Sequence, residues 1–435
     1  MFNFICDHPL RNTPNASNCK GISKFRNIDI HFRHHGIPFT TSSVESPLDT
    51  DKLNLYVIEP LDVFDIMNPL DKSNGFMEYI PNDVVQHIKN PTNKYFLLIY
   101  FPAEGFCLSI HNNSIPEYIN LICRKYKIPS DKILLVYGDV NIRKTCSHSN
   151  LTDYLPTKNI FGLNIFEHVS VGDYYNQNKV NFQDIIIKKT KNPDKSKLFL
   201  LKNGVTRPHR MFLITKLLDL GILDKGFYSW IDHTNLPLIE SDFERIFGHY
   251  YSNIEEQTKL IKLFKDSVHA KKPIILDKSP NELQDRTSQV KLSNDFLLDS
   301  YFSIVTETVV DNENRGIQFF SEKIYQPIQT LHPFIVHGCQ GSLNYLREAG
   351  YATFPELFDE RYDSIKEENK RANFIINEIN KVAKLDRSKL NDIIYSEYMV
   401  DKLKHNQNLI QSQPSRNGYY KLMNWLEKIY YNYDI

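Results

Sequence analysis

The chain reads as an α/β protein built on parallel sheets, and three observations carry that expectation. Short apolar runs such as Tyr95–Phe101 and 132–137 have the composition of strands buried on both faces. Segments with helical spacing alternate with them, the pattern of a parallel sheet covered by helices. A charged, proline-broken stretch at 188–197 (KKTKNPDKSK) then separates two such sets, as a linker between domains would.

Taken in order, residues 1–50 are rich in His, Pro, Ser and Asn and read as irregular, while 61–88 look largely helical. A strand at 95–101, a helix at 114–126 and a strand at 132–137 follow. After the linker, 198–201 reads as a strand, 203–209 as a loop, and 210–220 as a helix with Met211, Ile214, Leu217 and Leu218 on one face. Residues 221–226 turn the chain toward a short strand at 228–230. Further strands are expected at 301–307 and 333–337, and helices at 365–385, 390–410 and 419–431. The expected organisation is a first domain at 1–190, a second at 196–385, and helices at 386–435 packing back on both. Ligands of such open sheets lie beyond the carboxyl ends of the strands, so the loops after 101, 137, 202 and 307 are expected to line a cleft.

At 435 residues the chain is long enough for two domains with separate cores. Hydrophobic content of 41% and a formal net charge of zero suit a globular protein and argue against a general polyanion or nucleic-acid binder, so any phosphate site must be local. The opening residues lack the basic start and apolar core of a signal peptide, and no run approaches the ~18 apolar residues of a membrane span, so a cytoplasmic location is expected. The six cysteines are scattered without a Cys-x-x-Cys pair, which suggests neither a zinc site nor a disulfide framework.

The richest segment is Phe319-Phe320-Ser321-Glu322-Lys323-Ile324, which leads through an apolar helix into Pro333-Phe334-Ile335-Val336-His337-Gly338. A carboxylate can accept bonds from ribose hydroxyls and a neighbouring ammonium can neutralise phosphate, the two demands of a nucleotide-sugar donor. A second segment, 202–210, contains Arg207, His209 and Arg210 between a strand and a helix start, where backbone amides and two cations could meet one anion.

Ser321-Glu322-Lys323-Ile324, eight intervening residues and then Pro333-Phe334-Ile335-Val336 with Gly338 resemble the donor-binding signature of the α1,3-fucosyltransferases. The loop ending at Arg210, the 223–226 turn and the segments at 341–343 and 358–363 resemble a broader group of bacterial and viral glycosyltransferases. The likeness covers roughly residues 195–385. It implies a GT-B fold of two Rossmann-like domains, with the second holding the donor, and an inverting reaction that uses no metal and no cofactor beyond a nucleotide-sugar substrate, a GDP-sugar such as GDP-fucose being the expected one. It further implies that Glu322 binds the ribose, that Lys323 with Arg207 or Arg210 binds the diphosphate, and that Phe320 lines the donor pocket. Ser321 stands where the family more often has Thr.

An acceptor hydroxyl needs a carboxylate to take its proton. Glu104, just after the 95–101 strand, is the first candidate, and Asp139, after the 132–137 strand, the second. Asp359, Glu360 and Asp363 read as solvated loop carboxylates rather than metal ligands. The expected partners are a nucleotide sugar and a glycan acceptor. The competing expectation is a non-catalytic carbohydrate-binding or structural protein on the same kind of fold. An epimerase is disfavoured because no Gly-x-Gly-x-x-Gly loop follows a strand.

Overall fold

The computed structural model describes residues 2–6, 28, 32, 36–44, 46–59, 80–102, 114–167, 194–231, 240–276, 294–310, 315–412 and 414–432. The chain divides into two compact units. One comprises residues 1–165, 315–319 and 415–435, and the other 166–314 and 320–414. It is a mixed α/β protein with one parallel sheet in each unit.

The first unit contains β1 (Phe2–Cys6), β2 (Phe39–Ser43), β3 (Leu53–Ile58), β4 (Tyr95–Phe101), β5 (Ile133–Tyr137) and β6 (Ile160–Gly162), ordered β2-β1-β3-β4-β5-β6. Every neighbouring pair is parallel. Two of these strands, β1 and β2, occupy the region expected to be irregular. Their polar letters are used inside the sheet: the Asn3 amide donates to Asn54 Oδ1 at 2.8 Å and its own oxygen accepts from the hydroxyls of Thr40 at 2.9 Å and Ser42 at 3.0 Å. This ladder, buried at Asn3 and Asn54 and half-buried at Thr40 and Ser42, ties the three strands together by side chains as well as backbone. The helices Asn82–Lys89 and Ser114–Tyr126 supply Val84, Val85, Ile88, Tyr118, Ile119 and Ile122 to the core over β3 to β5. Most of the helix expected at 61–88 lies outside the described residues; its last turns are the 82–89 helix.

Two later segments return to this unit. In the helix Pro414–Asn432, the Trp425 indole N–H donates to the Lys158 carbonyl at 2.7 Å, and the Tyr419 and Tyr100 hydroxyls are 3.1 Å apart. Residues 315–319 are held by Asp139, whose Oδ1 accepts the amides of Gln318 and Asn141, each at 2.9 Å, while Oδ2 accepts the Thr145 hydroxyl at 2.6 Å. The Val140 amide also donates to the Gln318 carbonyl at 3.0 Å. Asp139, considered from the sequence as a proton acceptor, is thus 3% exposed and fixes the fold of its unit.

The second unit contains β7 (Lys197–Asn203), β8 (Phe227–Trp230), β9 (Ser300–Thr306) and β10 (Phe334–His337), all parallel in the order β10-β9-β7-β8. β9 is buried at every position. The helix Pro208–Asp219 starts two residues before the expected position, with Pro208 at its first turn, where a missing N–H costs nothing. Residues 209–215 and Leu217 are all buried, so this helix has no broad polar face. The amphipathic pair Glu240–Tyr250 and Ile254–Ser267, unread in the sequence, packs beside it. The single helix expected at 390–410 is two, Arg387–Ile394 and Glu397–Ser412. Among the described residues no helix is long and apolar enough to cross a membrane.

Replacing Asp139 by Ala removes the acceptor of two amides and a hydroxyl, each costly to leave unpaired when buried. The substitution is expected to lower unfolding stability by about 3 kcal/mol or more in denaturant titration; a loss below about 0.5 kcal/mol would show that the 315–319 segment is held by other means.

Candidate functional site

In the four-stranded sheet the chain passes from β7 to β8 on one side, then crosses back to β9 on the other. β7 and β9 are hydrogen-bonded neighbours, so the strand order reverses between them. Crevices at the carboxyl ends of strands beside such a reversal are the usual ligand sites of open parallel sheets. Here those ends carry Asn203, Thr306 and Glu307, and the segments containing Arg207, Arg210, Ser321 and Lys323 converge on them.

Glu307 is the centre of this edge. It is fully buried. Its carbonyl accepts His209 Nε2 at 2.9 Å and Arg210 Nη2 at 3.2 Å, while its amide donates to the His337 carbonyl at 2.9 Å. Its carboxylate is used unevenly. Oε2 accepts the Ser321 hydroxyl at 2.5 Å, the Ser321 amide at 3.0 Å and its neighbour Thr308's amide at 3.2 Å. Oε1 is buried and has no hydrogen-bond partner among the described residues. Gly338 packs here, where a Cβ would come 3.4 Å from Glu307 Cγ and 3.1 Å from Ser342 Oγ.

Ser321 links this carboxylate to the helix Glu322–Gln329. As the N-cap residue it accepts from the Lys323 amide, while its hydroxyl donates to Glu307. The Lys323 ammonium lies 2.6 Å from Glu322 Oε1, 3.3 Å from Ser321 Oγ and 3.4 Å from Thr308 Oγ1. With its side chain 25% exposed it can reach solvent, whereas Glu322 is 13% exposed.

The two carboxyls are driven in opposite directions. Burial pushes Glu307 up to about 6, against the pull of Lys323 and Ser321. Glu322 is also penalised by burial, but Lys323, its own backbone bond and Arg210 outweigh it and keep its carboxyl below the ordinary range. At neutral pH Glu322 is therefore an anion, while Glu307 is held near the edge of protonation.

Residues 209 and 210 face inward, each 2% exposed. Arg210 donates to the carbonyls of Val205 at 3.0 Å and of Thr306 and Glu307 at 3.2 Å, so its guanidinium spans the reversal point of the sheet. Burial and Arg207 lower it to about 10, still a cation at neutral pH, and its Nε has no partner among the described residues. Burial, His337 and Arg210 hold the His209 imidazole well below its usual value, so it is neutral. Arg207, the N-cap residue of the 208–219 helix, is half-buried. Phe320 is 1% exposed and stacked on Tyr345 at 4.7 Å, which makes it part of the core.

Behind this edge, the His337 ring lies edge-on to His209 at 5.3 Å and its Nε2 is 2.8 Å from Glu368 Oε1. Glu368 also accepts from the Tyr250 hydroxyl at 3.2 Å and contacts His249 Nε2 at 3.3 Å. Burial opposes its ionisation, yet His249 and His337 hold it well below the carboxylate range. Among the described residues no cluster of three or more His, Cys, Asp or Glu could hold a metal ion. Asp359 pairs with Arg361, and Asp363 accepts the amides of Leu343 and Asn344, so both serve local structure.

Of the residues singled out in the sequence, Arg207, His209, Arg210, Ser321, Glu322 and Lys323 lie around one sheet edge. Asp139 belongs to the first unit, and Glu104 lies outside the described residues. Two residues went unread. Glu307 is a lone carboxyl at the end of an apolar strand; its signal was that a glutamate follows a seven-residue buried run without a turn residue between. Glu59 holds the matching position in the first unit, just past β3, where the strand order reverses between β1 and β3. It is 5% exposed and accepts the Ile28 amide at 2.9 Å. No protein-family model matches this chain, and no curated protein matches it either.

Glu307 supplies a pH-dependent test. Its folded-state value, about 6, lies above the ordinary glutamate value of 4.5, so between them the folded chain binds more protons than the unfolded chain. Stability is thus lost as pH rises through that window, by about 2 kcal/mol in total. Glu307→Gln, which cannot ionise, should gain about 2 kcal/mol relative to the parent between pH 4 and pH 8 in urea titrations. A difference independent of pH would show that Glu307 does not titrate there.

Proposed function

We propose that this chain is an inverting glycosyltransferase of GT-B type that moves a sugar from a nucleotide-sugar donor, GDP-fucose being the leading candidate, to a glycan hydroxyl. One observation supports this most: a partly exposed ammonium, Lys323, sits beside a helix N-terminus at the carboxyl edge of a parallel sheet, next to the point where the strand order reverses. That is where a diphosphate fits by charge and by helix dipole.

In such a transfer the acceptor oxygen bonds to the anomeric carbon as the bond from that carbon to the diphosphate breaks, and the configuration inverts. The leaving diphosphate gains negative charge, which Lys323 and Arg207 would stabilise without reorganising. Glu322, kept ionised by Lys323, would accept bonds from the ribose hydroxyls. The proton lost by the acceptor hydroxyl would pass to a carboxylate, Glu104 being the first candidate. Asp139 is less suited, because both its oxygens already hold donors. Arg210 and His209 would serve by fixing the Glu307 backbone.

The same observations admit a non-catalytic carbohydrate-binding protein that retains the donor site, and turnover separates the two. A thermal-shift panel of GDP, UDP, ADP and CMP should give selective stabilisation by one nucleotide without added magnesium, by about 2.7 kcal/mol at 100 times the dissociation constant. Lys323→Ala should weaken that nucleotide at least tenfold and lower transfer at least a hundredfold while the far-UV spectrum is unchanged. Binding with no transfer to any acceptor in a glycan panel would favour the binding-protein reading. No stabilisation by any nucleotide would refute the donor site.

A further inference from the structure

Glu307 has no role in the transfer as described, yet its surroundings are those of the Lys323 ammonium. The two residues whose hydroxyls Lys323 reaches, Ser321 at 3.3 Å and Thr308 at 3.4 Å, are the two whose amides Glu307 Oε2 accepts. The carboxyl is fully buried, and Oε1 has no partner among the described residues. A structural anchor would be expected to use both oxygens, since an unpaired buried oxygen is costly. We propose that Glu307 is a positioning residue of the donor site, clamping Ser321 and Thr308 so that Lys323 faces the diphosphate, and that it takes up a proton when the diphosphate binds. This inference rests on the donor-site reading above.

The charges around Glu307 give the direction. The helix Glu322–Gln329 brings Lys323 and Glu322 against it; the 208–219 helix and the residue before it bring His209, Arg210 and Arg207; β10 brings His337, with Glu368 behind. The charge of the Lys323 ammonium is what chiefly opposes burial at the Glu307 carboxyl, which sits at about 6. A diphosphate that engages Lys323 removes this compensation and adds negative charge nearby. Both changes favour the neutral acid. A proton then passes from solvent to Glu307 Oε1, the oxygen without a hydrogen-bond partner among the described residues, and leaves again when the diphosphate departs. Affinity should therefore fall as pH rises above about 6, because the protonated form is the better binder.

Three forms of the full chain test this: parent, Glu307→Gln and Glu307→Ala. Gln keeps an oxygen for Ser321 but cannot titrate; Ala removes the clamp. With GDP, UDP and inorganic pyrophosphate as probes, calorimetry at pH 7 in two buffers of different ionisation enthalpy measures proton uptake. The parent should take up several tenths of a proton more than Glu307→Gln, the comparison cancelling the titration of the nucleotide itself. Glu307→Gln should bind within a few-fold of the parent, and Glu307→Ala at least tenfold more weakly. Equal proton uptake by parent and Glu307→Gln would overturn the proton linkage.

A ligand-free measurement keeps the positioning claim separate from the donor reading. Acetylation of Lys323, followed by mass spectrometry, should be several-fold faster in Glu307→Ala than in the parent or Glu307→Gln, with Lys404 unchanged. Identical rates in all three would overturn the positioning role, whatever the chain binds. Faster labelling in Glu307→Ala without binding of any probe would support the positioning role and overturn the donor reading alone.

Discussion

The second unit is organised around one buried carboxyl at the end of one strand. Glu307 joins three neighbouring elements at once: its carbonyl holds His209 and Arg210 of the helix after β7, its amide pairs with β10, and its side chain fixes the N-cap of the helix that carries Lys323. The backbone bonds belong to the sheet and would survive a change of side chain. The carboxylate bonds would not, and they are the ones that connect the sheet to the exposed ammonium. Burying an acid here costs stability, and the cost is contained because Lys323 and Ser321 lie close.

That balance accounts for the charge pattern of the edge. Arg210 is a cation whose Nη groups are engaged by carbonyls, and His209 beside it is neutral, so neither projects charge outward. Glu322 remains ionised because Lys323 adjoins it. Lys323 and Arg207 both combine partial exposure with placement at a helix start, and Lys323 is the one bonded to the residues that Glu307 holds, which is why the donor reading concentrates on it. A net charge of zero over the whole chain agrees with a local anion site rather than a surface-wide one.

Much of the fold was legible where burial and sequence pattern coincide. β4 and β5 are continuous apolar runs and β9 and β10 are largely apolar, and the alternation around them pointed to parallel sheets. β1, β2 and β3 were not legible, because part of their pairing is carried by Asn3, Asn54, Thr40 and Ser42, letters that resemble a loop until their partners on other strands are known. At the site, the cluster of Ser321, Glu322 and Lys323 was visible as a motif with chemical sense. The inward turn of His209 and Arg210 was visible only indirectly, in a helix whose Met211-Phe212-Leu213-Ile214 run leaves no polar face to present them. Glu307 was overlooked because a single glutamate reads alike whether solvated or buried; its place directly after β9 was the one sequence signal, and the convergence of Ser321, Thr308 and Lys323 shows its use. The structural use of Asp139 was hidden for a complementary reason: its position after a strand was visible, but its partner near 318 is distant in sequence.

If the carboxyl edge of β7 and β9, with Lys323 at its rim, is an anion site for a diphosphate, a bound nucleotide must sit there. A crystal structure of the chain grown with the nucleoside diphosphate that stabilises it most tests this directly. Phosphate oxygens are expected within hydrogen-bond distance of Lys323 Nζ and near the amides that open the Glu322–Gln329 helix, with Glu307 buried beneath and still bonded to Ser321. Nucleotide density elsewhere on the chain, with Lys323 still paired only to Glu322 and the Ser321 and Thr308 hydroxyls, would contradict it.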